Sequence, residues 1–384
     1  MPIQLSRDAL SATRRWVIKI GSALTTRDGA GLDREAIATW VSQLVALRGA
    51  GLEVVLVSSG AVAEGIVRMQ WGGKPRDLPL QQAAAAVGQM GLARVYEETF
   101  AAHGIHSAQI LLTHDDIADR NRYLNARSAL LTLIRHGVVP VINENDSVAT
   151  EELSVGDNDT LAGSVTNLID ADVMVILTDQ AGLFERDPRH DPSAGIVSEA
   201  CVDDPRLLEM AGGSGALGRG GMRTKVKAAQ VAALSGTATL IASGREPNIL
   251  PRLMRGEKLG TLLTPADSGL AARKRWLAGP MRTQGRLTLD AGAARVVAAG
   301  EGSLLAVGIT DVSGAFERGA LVACVDAKGQ ELARGLSNYS ASELARIKGR
   351  PSSEFIGILG LCREEEVIHR DNLISASVRA ISVS

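Results

Sequence analysis

Residues 138–159 read VVPVINENDSVATEELSVGDND. Five apolar or proline residues end abruptly in Asn143-Glu144-Asn145-Asp146, and Gly156-Asp157-Asn158-Asp159 follows a short loop later. A continuous apolar run of this length suits a strand covered on both faces, as in a parallel sheet between helices. Open sheets of that kind bind ligands at the carboxyl ends of their strands. Two clusters of carboxylates and carboxamides are thus expected where a ligand would lie. Carboxylates repel phosphate but hold ammonium groups and metal ions, so a substrate with a free amine is expected.

Working outward, further apolar runs of strand length fall at 16–20, 54–57, 110–112, 173–177 and 238–241. Helical patterns lie between them at 33–48, with Asp33 as N-cap, at 80–102 and at 120–135. Alternating β and α over about 15–263 predicts a three-layer αβα sandwich with a mostly parallel central sheet. The texture changes after Thr264. A polar, basic stretch at 265–280 is expected to link a catalytic domain, 1–264, to a small β-rich domain, 281–384. In the latter, short strands with glycine turns are expected at 286–289, 303–307 and 320–325.

With 384 residues the chain is long enough for two or three domains. A net charge of -2 argues against a protein dominated by nucleic-acid or membrane attraction. The sequence shows neither an apolar run of membrane-spanning length nor a signal-peptide pattern. Cys201, Cys324 and Cys362 are far apart and odd in number, which argues against a disulfide framework and for the cytoplasm.

Other strand ends carry candidate chemistry. Lys19, in Val17-Ile18-Lys19-Ile20-Gly21-Ser22, either emerges to grip a phosphate or snorkels to water from an edge strand. Ser58-Ser59-Gly60 at a strand-to-helix turn suits an anion or plain N-capping. Thr178-Asp179-Gln180-Ala181-Gly182 could touch a nucleotide or form an ordinary turn. The run 212–225, GGSGALGRGGMRTK, contains a GxGxxG match, but a helical segment precedes it where a dinucleotide site needs a strand. A lid ending in the helix 222–234 fits better. Lys225 on that helix's first turn conflicts with the dipole unless an anion is present. His369-Arg370-Asp371 falls in the β-rich segment and is read as chance. The scattered histidines suggest no metal site, and no metal-ligating residue is assigned.

VIKIGS, VSSGA, VINEND, VGDND, LTDQAGL and GGMRTK, in this order and spacing, resemble the glutamate 5-kinases of the amino acid kinase superfamily, over essentially the whole chain. The trailing segment resembles a PUA domain. The resemblance implies an αβα catalytic domain around a mainly parallel sheet of about eight strands, followed by a PUA-like barrel. It implies phosphate-contacting, catalytic roles for Lys19 and Lys225, supported by Asp157 and Asp159. Ser59, Asp146 and Asn158 match substrate-binding positions. Lys19, Thr178, Asp179 and the segment Arg219, Gly220, Gly221, Met222, Arg223, Thr224 and Lys225 match nucleotide contacts. Ala23, Arg219 and Arg223 depart from the family's usual Ser or Thr, which bears on nucleotide affinity rather than on reaction class.

The implied reaction joins ATP, with Mg2+, to L-glutamate to give L-glutamyl 5-phosphate, in proline synthesis. A carboxylate nucleophile is ionised at neutral pH and needs no general base, which suits a site without histidine. The family implies a homo-oligomer, a dimer or tetramer, and makes L-proline a candidate feedback ligand. One rival is another small-acid kinase of the same fold, acting on acetylglutamate, aspartate or carbamate. An acetylated amine carries no charge to balance the acidic clusters. A second rival is RNA binding through the PUA-like domain. From Met281 onward twelve Lys/Arg face twelve Asp/Glu, without the basic excess a phosphate backbone demands.

Overall fold

A computed structural model describes residues 5–376 apart from 28, 74, 76, 149–157, 213–220, 267–282, 301, 361 and 363. The chain forms two compact units, Met1–Gly269 and Leu270–Ser384.

The first unit is built on eight strands: β1 Arg15–Ile20, β2 Glu53–Val57, β3 Ser107–Leu112, β4 Val139–Glu144, β5 Val173–Thr178, β6 Glu199–Cys201, β7 Ala238–Ser243 and β8 Thr261–Thr264. Their order is β3-β4-β2-β1-β5-β7-β8-β6. All neighbours are parallel except β7 and β8. From β1 the sheet grows outward in both directions, so β1 lies where a doubly wound sheet opens its binding crevice.

Among the described residues of this unit are ten α-helices: α1 Ser22–Thr25, α2 Arg34–Gly49, α3 Ala61–Arg68, α4 Leu78–Ala101, α5 His114–Ala118, α6 Arg120–Arg135, α7 Asn158–Ile169, α8 Arg206–Met210, α9 Met222–Ala233 and α10 Ile249–Met254. Alternate residues of each strand feed two cores. Trp16, Ile18, Leu56, Val141 and Val175 pack with Ile37 and Leu44 of α2, Tyr96 of α4 and Leu250 of α10. Val17, Val55, Ile142 and Met174 pack with Leu130 of α6, Leu161 of α7 and Val226 of α9. This two-residue period makes three layers from runs that look uniformly apolar in sequence. Asp33 caps α2 by accepting from the Ala36 N–H at 3.1 Å, as its sequence position predicts. Pro140, without an N–H, is tolerated because β2 pairs with β4 only at Val141 and Ile142.

The second unit is a five-stranded sheet, β9 Gly285–Leu289, β10 Ile309–Gly314, β11 Leu321–Val325, β12 Glu331–Leu336 and β13 Leu373–Ser375, in the order β10-β9-β11-β12-β13. Leu287, Val322, Tyr339, Phe355 and Ile368 centre its own core. The strand expected at 303–307 is absent. That stretch holds one bridge, Leu304 to Ile368, and a 3-10 turn, Ala306–Gly308. Gly308 allows close approach to Ala293, since a Cβ there would sit 2.4 Å from the Ala293 Cβ. All three cysteines are free. Among the described residues no helix is long and apolar enough to cross a membrane.

Candidate active site

Four adjacent strands, β4, β2, β1 and β5, deliver their carboxyl ends to one side of the sheet. Lys19 sits one residue before the end of β1, buried, on the α7 and α9 side. Ser59 follows β2, and Asp146 follows β4 after a turn; both are buried. Asn143 and Glu144, expected just beyond the apolar run, continue the strand and are buried within it. Thr178 ends β5; its hydroxyl donates to Asp179 at 3.0 Å, and Asp179 itself is exposed.

The acidic loop of the sequence reading turns out to open a helix. Asn158 and Asp159 form the first turn of α7, and both are almost fully buried. An acid there is favoured by the helix dipole. Asp159 Oδ1 lies 2.5 Å from Lys19 Nζ, and Oδ2 lies 3.0 Å from Lys225 Nζ. The Thr224 hydroxyl is 2.8 Å from the same Oδ2. Lysines 206 positions apart in the chain thus converge on one carboxylate. Burial alone would raise the Asp159 carboxyl, but the charges and hydrogen bonds of Lys19 and Lys225 hold it down at about 2. The carboxylate also resolves the dipole conflict at α9. Lys225 is compensated within the protein, so its position does not by itself demand a bound anion.

Asn158 reaches the other way. Its Oδ1 accepts from the Glu144 N–H at 3.1 Å, and its Nδ2 donates to the Ser59 hydroxyl at 3.2 Å. One turn of α7 therefore ties the ends of β2 and β4 to the paired lysines. The turn at Ser59 is shaped by Gly60, whose φ of 113 lies in the left-handed region. A Cβ at Gly60 would also meet Thr25 Oγ1 at 3.1 Å, and Thr25 is needed to donate to the Ser59 carbonyl at 3.0 Å.

Gly221, Met222, Arg223 and Thr224 open α9 beside Lys225, with Gly221 as an N-cap that supplies no side chain. Asp157, Arg219, Gly220 and residues 213–220 of the lid expected over 212–225 lie outside the described residues. Three participants escaped the sequence reading. Thr25 was hidden in a short helix with no periodicity. Gln89 and Tyr96 on α4 contact residues beside the site: Asn143 Nδ2 donates to Gln89 Oε1 at 2.7 Å, and the Tyr96 and Ser58 hydroxyls are 2.8 Å apart. A glutamine in the middle of an alanine- and glycine-rich helix was the available signal.

A cationic pair beside the N-terminus of a helix suits a transferring phosphoryl group. A buried wall of Ser59, Asp146 and Asn158 suits a small polar acceptor. Comparison with known proteins bears on both. The amino acid kinase family matches residues 14–243, and the PUA domain matches 285–359. Glutamate 5-kinase of Chromohalobacter salexigens is 58% identical over 96% of this chain and 98% of its own length. That of Stutzerimonas stutzeri is 59% identical over 96% and 99%. The chain belongs to the glutamate 5-kinases of the amino acid kinase family. Glutamate 5-kinase of Methylococcus capsulatus, at 57% over 96% and 99%, fits the same membership. Among solved structures, carbamate kinase from Giardia lamblia bound to AMP-PNP aligns over 66% of this chain and 99% of that one, with TM-score 0.49 and 20% identity. The resemblance to this family holds by the near-full-length identities, and the αβα class by the sheet with a core on each face.

Proposed function

We propose that this chain transfers the γ-phosphoryl group of ATP to the side-chain carboxylate of L-glutamate, giving ADP and L-glutamyl 5-phosphate, the first step of proline biosynthesis. The observation that carries this reading is the adjacent pair Asn158 and Asp159, one bonded to the substrate wall and the other to both lysines. Near-full-length identity to glutamate 5-kinases supports the choice of acceptor.

The glutamate carboxylate attacks phosphorus directly; no side chain needs to remove a proton. Catalysis then rests on alignment and charge neutralisation. Lys19 and Lys225 act as catalytic cations on the transferred group, approaching from β1 and α9. Asp159 holds both ammonium groups in register, and Asp157 is assigned a supporting role. Asp146 pairs with the α-ammonium of glutamate, while Ser59 and Asn158 orient its carboxylates. Thr178, Asp179 and the segment Arg219 to Lys225 bind the nucleotide. Mg2+ neutralises ATP oxygens when bound. Asp159 is committed to the lysines, so ATP oxygens and water would hold the ion.

The catalytic domain is taken as 1–264, the linker as 265–280 and the PUA-like domain as 281–384. A cytoplasmic homo-oligomer, a dimer or tetramer, and inhibition by L-proline complete the reading. Proline shares the α-amino and α-carboxyl groups that the Asp146 wall would recognise. Loss of glutamate phosphorylation at millimolar proline is expected, and indifference to proline would remove that part alone.

The test of the whole is trapping the acyl phosphate. Enzyme, ATP, Mg2+ and hydroxylamine should yield the γ-hydroxamate with glutamate and little product with aspartate, acetylglutamate or carbamate. Preference for one of those acids would replace the assigned substrate.

A further inference from the structure

Successive strand residues face opposite sides of a sheet, and the ends of β2 and β4 show the consequence. Ser59 bonds to Asn158 on the α7 side, whereas Ser58 turns to α4 and meets the Tyr96 hydroxyl. On β4, Ile142 packs in the core beneath α7, while Asn143 turns to α4 and gives its Nδ2 to Gln89. The next residue, Glu144, gives its N–H to Asn158. Ser59 is therefore backed by Ser58, and Glu144 at the end of β4 by Asn143, each of the two backing residues anchored to α4.

Both anchors are buried: Ser58 and Tyr96 are fully covered, Asn143 is 2% exposed and Gln89 9%. Gln89 and Tyr96 are seven residues apart on α4 and share one helix face. Both also line a cavity of about 240 Å³, together with Leu92, Gln109 and Val141. The Gln89 bridge also orients the Asn143 amide. Its NH2 is spent on Gln89, and its buried Oδ1 has no hydrogen-bond partner among the described residues.

We propose that Gln89 and Tyr96 are positioning residues for the acceptor: through these two bridges, α4 fixes the ends of β2 and β4 and hence the wall formed by Ser59 and Asp146. The inference rests on the acceptor site assigned above and adds α4 as its backing.

The experiment uses the full chain with Gln89→Met and Tyr96→Phe, which keep side-chain volume. Hydroxamate formation is measured with glutamate and ATP varied separately. Each variant should raise KM for glutamate about tenfold, the worth of roughly one buried hydrogen bond, with KM for ATP within about twofold of wild type. Equal shifts in both KM values or an unchanged glutamate KM would overturn the proposal. Should the wild type use a different small acid, the substrate assignment fails, and the same comparison on that acid decides the role of α4.

Discussion

Asp159 is the residue on which the site turns. It sits almost fully buried at the first turn of α7 with Lys19 and Lys225 on its two oxygens. Removing one member of such a buried set strands the charges left behind, at a cost of about 3–5 kcal/mol. Asp159→Asn is therefore expected to lower the urea midpoint clearly and to reduce turnover; an unchanged midpoint would mean that the lysines do not depend on it. The carboxyl also predicts a pH effect. Its folded value, about 2, lies below the ordinary carboxylate value. It thus adds stability that is complete above about pH 4 and is lost as pH falls toward 2. Wild type should lose more stability than Asp159→Asn between pH 5 and about 2.5, as read from urea midpoints; parallel losses would contradict the assignment of the low value to this group.

At the scale of elements, α3 and α4 pack backbone to backbone. A Cβ at Gly88 would lie 1.8 Å from the Ala61 carbonyl oxygen, and one at Gly65 would lie 1.8 Å from that of Ala84. Neither obstacle is a movable side chain, so Gly88→Ala must push the helices apart. The expected cost is about 1–3 kcal/mol or more. Because α3 starts directly after Ser59 and Gly60, weaker glutamate binding should accompany the fall in Tm. A variant with wild-type Tm would show that the helices separate freely. This close approach was not legible in the sequence, where 80–102 was expected as a helix but 61–68 was given no helix of its own. Six strands of the first unit were legible, because long apolar runs and capping signals such as Asp33 are local, although β3 lies at the sheet edge and only Leu112 of it is buried. The start of α7 was not: its first turn is Asn158-Asp159, residues that look like loop until a lysine from β1 and another from α9 neutralise them. Likewise β6 and β8 are short and hold together by pairing with each other, which no local pattern reports. At 303–307, alternation suggested a strand, but the stretch makes one bridge, Leu304 to Ile368, and then a 3-10 turn.

At the scale of the whole molecule, the two units carry separate cores, and every described residue of the candidate site lies in the first. A fragment ending near Gly269 should therefore keep hydroxamate formation within a few-fold of the full chain. Loss of all activity in a folded fragment would give the second unit a direct part in the site. That unit's balanced charge, twelve basic against twelve acidic residues from Met281, predicts no salt-sensitive RNA binding in gel shifts. A shift that vanished with rising salt would revive the nucleic-acid reading.

The meeting of Lys19 and Lys225 at Asp159 carries the mechanistic account, and separating chemistry from binding examines it most directly. The single-turnover rate of phosphoryl transfer in Lys225→Ala, measured beside equilibrium binding of glutamate, makes that separation. The rate should fall about 10²–10³-fold, as for loss of one transition-state charge contact, while glutamate affinity changes little. An unchanged rate, or a loss confined to glutamate binding, would remove Lys225 from the chemistry and the account with it.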